Sequence, residues 1–240
     1  MKTFGTPVQL AAGLMVMWGD RSSCAFSLKH NFDNFWSSSE KKLAAYNLNS
    51  LWYLKQEHTA EGKVLTYPVA SGVHLLPDEG DYLITNVPTT GIGIITADCL
   101  PIVFFDSVRR VVAVVHAGWK GSVQGIAPIV LRQMQQRFGT ELKNIQIWFG
   151  PHANPCCYEV TPEFRTHLLS SIADQVILLR DGRLFFDTAR YNELLLIAAG
   201  VHAQQIDRQY SFCTMCSLRF HSRRNDGALY VGQSSIAWLE

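Results

Sequence analysis

Two short apolar runs around a charged turn constrain this chain more than any other feature. Residues 102–105 (Ile-Val-Phe-Phe) are followed by Asp106-Ser107-Val108-Arg109-Arg110 and then by residues 111–115 (Val-Val-Ala-Val-Val). β-Branched and aromatic runs on either side of a polar turn are the signature of an antiparallel hairpin. With the turn centred near Val108, pairing sets Cys99 roughly opposite Ala117, within one residue of His116. A thiol and an imidazole then meet at one sheet end, beside glycines that leave backbone room for a ligand. Such a pair either ligates a metal or activates a nucleophile.

The chain around this hairpin reads as an ordinary globular protein. Its 240 residues, 48% apolar and 17% charged, are enough to bury a sizeable core. A net charge of +1 gives no electrostatic reason to expect nucleic acid or an anionic membrane as partner. No apolar stretch reaches the ~18–20 residues that span a bilayer. Residues 8–18 are interrupted by Gln9 and lack an A-x-A cleavage site, so they read as one early strand leading to Gly19-Asp20-Arg21. The six cysteines are few for this length, and the adjacent pair Cys156-Cys157 is a poor scaffold unit. Reduced thiols and a cytoplasmic setting are therefore expected.

Strand and helix patterns alternate without a linker or repeat. Helices are expected at 38–46, at 126–138 with Gly139 ending it, from Thr161-Pro162 with Thr161 as N-cap, and at 189–199 before Gly200. Strands are expected at 83–85, 92–96, 145–149 and 234–239. Interleaved helices and hairpins predict a single α/β domain, residues 1–240, with mixed β-sheets.

His58 joins Cys99 and His116 as a candidate third ligand. One thiolate and two imidazoles form a recognised donor set for catalytic zinc with an open fourth position. The same atoms also serve without metal: His116 would deprotonate Cys99, with Asp98 or Glu57 orienting the imidazole. Spacing alone leaves both readings open. Cys213-Thr214-Met215-Cys216 is a C-x-x-C with neither a thioredoxin-like helix start nor a second C-x-x-C, so it reads as two cysteines in a core-proximal loop. Cys156-Cys157 reads as packing. The loop 220–227, with Arg223 and Arg224 among Ser222 and Asn225, is rich in donors that suit phosphate or a sugar, or else forms a solvated turn.

A-D-C-L-P at 97–101 and H-A-G-W-K-G at 116–121 resemble the laccase-domain family, once labelled multicopper polyphenol oxidase and regarded as purine nucleoside phosphorylases with wider activity. The resemblance continues through Gly150-Pro151, Cys156-Cys157-Tyr158-Glu159-Val160, Phe186-Asp187, Cys213-Thr214 and the loop 220–226, covering about residue 56 to the end. It implies stacked β/α layers, with a fold related to the deamidase domain of cytotoxic necrotising toxins, a cysteine hydrolase fold. It implies zinc, rather than copper, on His58, Cys99 and His116. It also implies phosphorolysis of adenosine, inosine, guanosine or methylthioadenosine with inorganic phosphate, with adenosine deamination beside it; some members are described as peptidoglycan-editing factors. On that basis Cys99, His116, His58 and Asp98 are expected to be catalytic. Arg21, Lys120, Arg223 and Arg224 are expected to bind substrate. Two alternatives accompany this expectation: a Cys-His amidase acting on a peptide-like or peptidoglycan precursor, and a nucleoside-binding protein without turnover. The chain departs from the family pattern at Glu57 and Thr59 (usually Val and Gly), at Lys120 (usually Arg), at Gln233 (usually Arg) and at Gly19-Asp20-Arg21-Ser22-Ser23.

Overall fold

The computed structural model describes residues 2–23, 32–67, 69–227 and 231–240, the side chains of 32–34 aside; Cys24 lies outside them. Two six-stranded sheets form the centre. One runs, from edge to edge, Val8–Ala11, Leu14–Trp18, Gln233–Leu239, Thr90–Thr96, Ser50–Lys55 and Gly72–Glu79; the other runs Ile206–Asp207, Ile145–Phe149, Leu100–Asp106, Val111–Ala117, Tyr82–Thr85 and Gly62–Leu65. Both mix parallel and antiparallel neighbours, as the interleaved pattern predicts.

The period-two alternation of each strand explains the layering. Val103, Phe105, Val112 and Val114 face one way, against Val16, Trp18, Ile92 and Ile94 of the other sheet. Phe104, Val111, Ala113 and Val115 face the opposite way, into Val130, Leu131 and Met134 of helix Ile126–Phe138 and Leu196 of helix Thr188–Ala198. Helix Phe32–Ala45 covers the outer face of the first sheet through Phe35, which meets Tyr53 edge to face. The order is therefore helix, sheet, sheet, helices. Strands buried on both faces read as unbroken apolar runs, which is why 102–105 and 111–115 lack polar alternation. A third, three-stranded sheet (Glu159–Val160, Arg183–Phe186, Ile177–Arg180) packs to one side with helix Ser170–Val176. Among the described residues no helix is long and apolar enough to cross a membrane.

Some sequence expectations need correction. The hairpin pairs Leu100 with Ala117 and Pro101 with His116, so its centre falls between Val108 and Arg109, half a residue later than expected. Cys99 therefore lies one step past the last pair, beside Gly118. Residues 8–18 are two strands, not one: Gly13 sits at φ 79° and turns the chain, and Val8 pairs with Val16. The helix expected at 38–46 begins at Phe32. The segment after Thr161 is a 3₁₀ helix, Pro162–His167, and the Thr161 side chain makes no cap bond. Helix Ile126–Phe138 matches its expected bounds, and Gly139 closes it in the left-handed region at φ 68°.

Candidate functional site

The candidate site forms where the hairpin ends meet the loop after strand Ser50–Lys55. Gln56 fixes that loop: its amide donates to the Ile95 carbonyl at 2.7 Å and accepts from the Ile95 N–H at 2.7 Å, as a strand neighbour would. His58 follows in the left-handed region at φ 62°, which costs about 1–3 kcal/mol for a residue with a side chain. The compensation comes from Asp81. Its carboxylate accepts from His58 N (3.1 Å), Thr59 N (2.6 Å), Thr59 Oγ1 (2.8 Å) and His116 Nδ1 (2.7 Å), and its carbonyl accepts from His116 N (2.7 Å). Asp81 is fully buried. Burial opposes its charge, but the His116 and Thr59 contacts outweigh that and hold its carboxyl below the ordinary range.

With Nδ1 bound to Asp81, the other nitrogen of His116 is left to face Cys99 and His58. Cys99 Sγ lies 3.6 Å from His58 Nε2, and the two imidazole rings meet edge to face at 4.7 Å between centroids. Donor atoms of all three residues lie within 4.8 Å of one another. His58 is exposed, Cys99 half-buried and His116 buried. Burial penalises both charged forms of the Cys99–His116 pair, yet mutual attraction prevails. The thiol is pulled down to about 6 by His116 and then His58, and His116 is pushed up to about 10 by the thiolate and Asp81. Without a cation each of the two groups thus favours the charged form of the other. With one, its donor set is Cys/His₂ carrying a carboxylate behind one histidine, which suits zinc with one position left open.

The glycines of H-A-G-W-K-G are placed by close approach. A Cβ on Gly118 would sit 2.6 Å from His58 Cδ2 and 3.3 Å from Cys99 Sγ, and one on Gly121 would sit 2.6 Å from the Thr59 carbonyl oxygen. Gly118 has φ −65° and ψ 163°, so alanine meets no backbone strain there. Because exposed His58 can swing away, Gly118→Ala should weaken metal binding about tenfold or more while leaving the urea midpoint nearly unchanged. A competition titration beside a denaturation curve checks this; unaltered affinity would refute the contact.

Asp81, rather than Asp98 or Glu57, orients the imidazole. Asp98 sits at φ 83° and accepts from Thr214 Oγ1 (2.6 Å), Ser222 Oγ (3.0 Å) and the backbone N–H of Arg224 (2.8 Å). It ties the arginine loop to the residue before Cys99. Glu57 is exposed and paired with Lys55 at 3.2 Å. Arg21 reaches Asp226 through two bonds of 2.8 and 2.9 Å and the Phe220 carbonyl at 2.8 Å, so its guanidinium is already engaged. Asp226 in turn accepts from Ser222 N. Arg223 is exposed at the start of the short helix Arg223–Asp226. Arg224 lies 4.9 Å above the Tyr158 ring and donates to the Glu159 carbonyl. Exposed Lys120 lies 5.8 Å from the Trp119 ring centroid. At the departure from the family's terminal arginine, Gln233 is buried and holds the His221 backbone at 2.7 Å.

A cleft of about 630 Å³ opens beside this rim, lined by Trp119, Tyr158, Phe164, Pro162, Arg183 and Arg224. Tyr158 joins it to the thiol: burial and then the Cys99 thiolate push its phenol up. Phe164 packs edge to face on Trp119 at 5.3 Å. Asp81 and this cleft were missed by sequence reasoning. The one available signal for Asp81 was an aspartate heading an apolar strand, Asp81-Tyr82-Leu83-Ile84.

A family model described as "Multi-copper polyphenol oxidoreductase laccase" matches residues 31–240. The chain belongs to this laccase-domain family. A purine nucleoside phosphorylase of Clostridium acetobutylicum is 33% identical over 187 residues, covering 76% of this chain and 74% of its own. An adenosine deaminase of an unknown prokaryotic organism is 35% identical over 165 residues, covering 63% of this chain and 61% of its own. The crystal structure of a hypothetical protein, YfiH, of Bacillus licheniformis superposes with a TM-score of 0.80 at 25% identity, over 90% of this chain and 85% of that one. Within this family the Cys/His₂ set is built here from one thiol and two imidazoles. Among the described residues no histidine-rich cluster suits a multi-copper centre.

Proposed function

We propose that this chain is a nucleoside-processing enzyme whose main reaction is phosphorolysis of purine nucleosides, with zinc held by His58, Cys99 and His116. The observation that carries the reading is the convergence of these three donors, braced by Asp81, beside an aromatic cleft with arginines on its rim. When bound, zinc supplies a Lewis acid at the site.

The remaining roles fall to the chain. Trp119, Tyr158 and Phe164 offer π-faces for a purine. Arg224 and Lys120 hold phosphate, Arg224 with its backbone fixed on Asp98 and its guanidinium over Tyr158. Arg21 acts at one remove, by steadying Asp226 and through it Ser222. Arg223, on the same short helix, adds positive charge to the rim. As phosphate attacks the sugar carbon, the glycosidic bond breaks and its electron pair leaves with the purine. Donors placed near the base then stabilise the transition state more than the substrate.

Product chromatography with adenosine, inosine and methylthioadenosine, with and without phosphate and chelator, tests this. Phosphate-dependent release of free base, lost on chelation, is the expected result. Absence of turnover by zinc-loaded protein would refute it. Ammonia release without phosphate would instead identify deamination.

A second reading rests on the Cys99–His116 pair itself, in which a buried imidazole braced by Asp81 favours the thiolate as a cysteine amidase requires. Chelation separates the two, because a metal-free amidase survives it. Cys99→Ala abolishes both and does not discriminate.

A further inference from the structure

Four cysteines that the sequence separates into two unremarkable pairs meet in space. Cys156 Sγ lies 3.4 Å and Cys157 Sγ 3.1 Å from Cys216 Sγ, and with Cys213 all four sulfurs lie within 4.8 Å of one another. The expectation that both pairs merely pack in or near the core is corrected: Cys156 and Cys216 are exposed, Cys157 and Cys213 half-buried. We propose that these four thiols form a second metal site, a structural tetrathiolate centre for zinc, separate from His58, Cys99 and His116.

Three observations support it. Four Zn–S bonds of about 2.3 Å in a tetrahedron place sulfurs about 3.8 Å apart, and the observed cluster brackets that edge. Two loops deliver the thiols, each stiffened independently of the sulfurs. Cys157 and Tyr158 turn back on the Asn154 carbonyl (3.0 and 2.9 Å). Cys213 pairs with His152 in a parallel bridge, so the cluster does not depend on one mobile side chain. Backbone N–H groups of Asn154 and Cys216 approach the Cys213 sulfur. A C-x-x-C whose second amide faces its first sulfur is a chelating turn. Its partner here is an adjacent Cys-Cys pair rather than a second C-x-x-C, which is why spacing did not reveal it.

The choice of a soft divalent ion follows from the donors. All four candidate ligands are sulfur, and among the described residues no carboxylate or imidazole belongs to the cluster, a set that selects zinc or iron over calcium or magnesium. The site also has a place in the fold. Thr214, inside the C-x-x-C, donates to Asp98, and Tyr158 directly follows Cys157. An ion here therefore clamps the two loops that flank the arginine rim.

The first measurement is a Co²⁺ titration of the reduced Cys99→Ala chain, in which thiolate-to-cobalt absorption can arise only from this cluster or from Cys24. The expected result is an intense near-ultraviolet band saturating at about one equivalent, with the visible pattern of tetrahedral sulfur ligation. Adding Cys213→Ser and Cys216→Ser should abolish the band, and in the otherwise unaltered chain the same two changes should remove about one zinc by elemental analysis. Should that variant fail to fold, Cys156→Ser with Cys157→Ser, or the titration of Cys99→Ala alone, decides. No band in reduced Cys99→Ala protein overturns the proposal. So does a band that survives the serine changes, or a Cys157–Cys216 disulfide in protein that binds no cobalt after reduction. Nucleoside turnover enters none of these readouts, so this site and the proposed function stand or fall separately.

Discussion

Asp81→Ala is expected to lower stability by about 3–5 kcal/mol, the usual result of removing one partner from a buried charged pair. The carboxylate is fully buried and serves four donors from three residues. Without it the His116 Nδ1–H and the amides of His58 and Thr59 lose their acceptor where water does not reach freely. The left-handed backbone at His58 also loses its compensation. Asp81→Asn keeps the volume and one acceptor oxygen, so it should fold. Its amide offers N–H where His116 or Thr59 also donates, so the imidazole loses its orientation. Metal affinity should then drop ~10–100-fold. Denaturation curves for the alanine change and metal competition for the asparagine change are the measurements. An asparagine variant with unaltered affinity would remove Asp81 from the site.

The second large effect is a dependence on pH. His152 is fully buried, its Nδ1 bonded to the Gly150 carbonyl at 2.9 Å, while its Nε2 meets no partner among the described residues. Burial pushes this imidazole down to about 4, against an ordinary value of 6.5. Between those values the unfolded chain binds a proton that the folded chain refuses, so stability falls as pH drops through this window. The full loss is about 3 kcal/mol, complete below pH 4, and above pH 6.5 the effect is absent. His152→Gln retains a donor for Gly150 and should lack this slope. Urea midpoints at pH 7.5 and 4.5, with chelator present in both, make the comparison. Equal pH dependence in the two proteins would show that His152 is not held neutral.

What could be read from the residues followed local chemistry. Helix Ile126–Phe138 was legible because its apolar residues keep a 3.6 period up to a glycine that the left-handed cap requires. The central hairpin was legible because strands covered on both faces need no polar positions. Residues 8–18 failed for the same reason: Ala12-Gly13 turns the chain inside an apolar run, and no polar residue marks the turn. The 3₁₀ segment after Thr161 carries a helix-start residue pattern, but its cap bond is not made.

At the site, Cys99 and His116 were visible because one hairpin joins them, while His58 was a candidate by residue type that the family resemblance then placed in the expected ligand set. Asp81 was not visible. Its partners lie 22 to 35 residues away, and nothing local distinguishes it from an aspartate on a strand end. The thiol cluster was hidden likewise, since 59 or 60 residues separate Cys216 from its nearest sulfurs.

The three donors of the proposed zinc site rest on unequal footings. Cys99 and His116 border strands whose amides should exchange with solvent deuterium only through global unfolding. His58 rides on an exposed loop held by Gln56 and Asp81. An ion held there would therefore enter and leave on the His58 side, with a residence time set by how often that loop opens. Changes at Gln56 or Thr59 should alter the rate of metal exchange far more than changes in the hairpin of equal cost to stability.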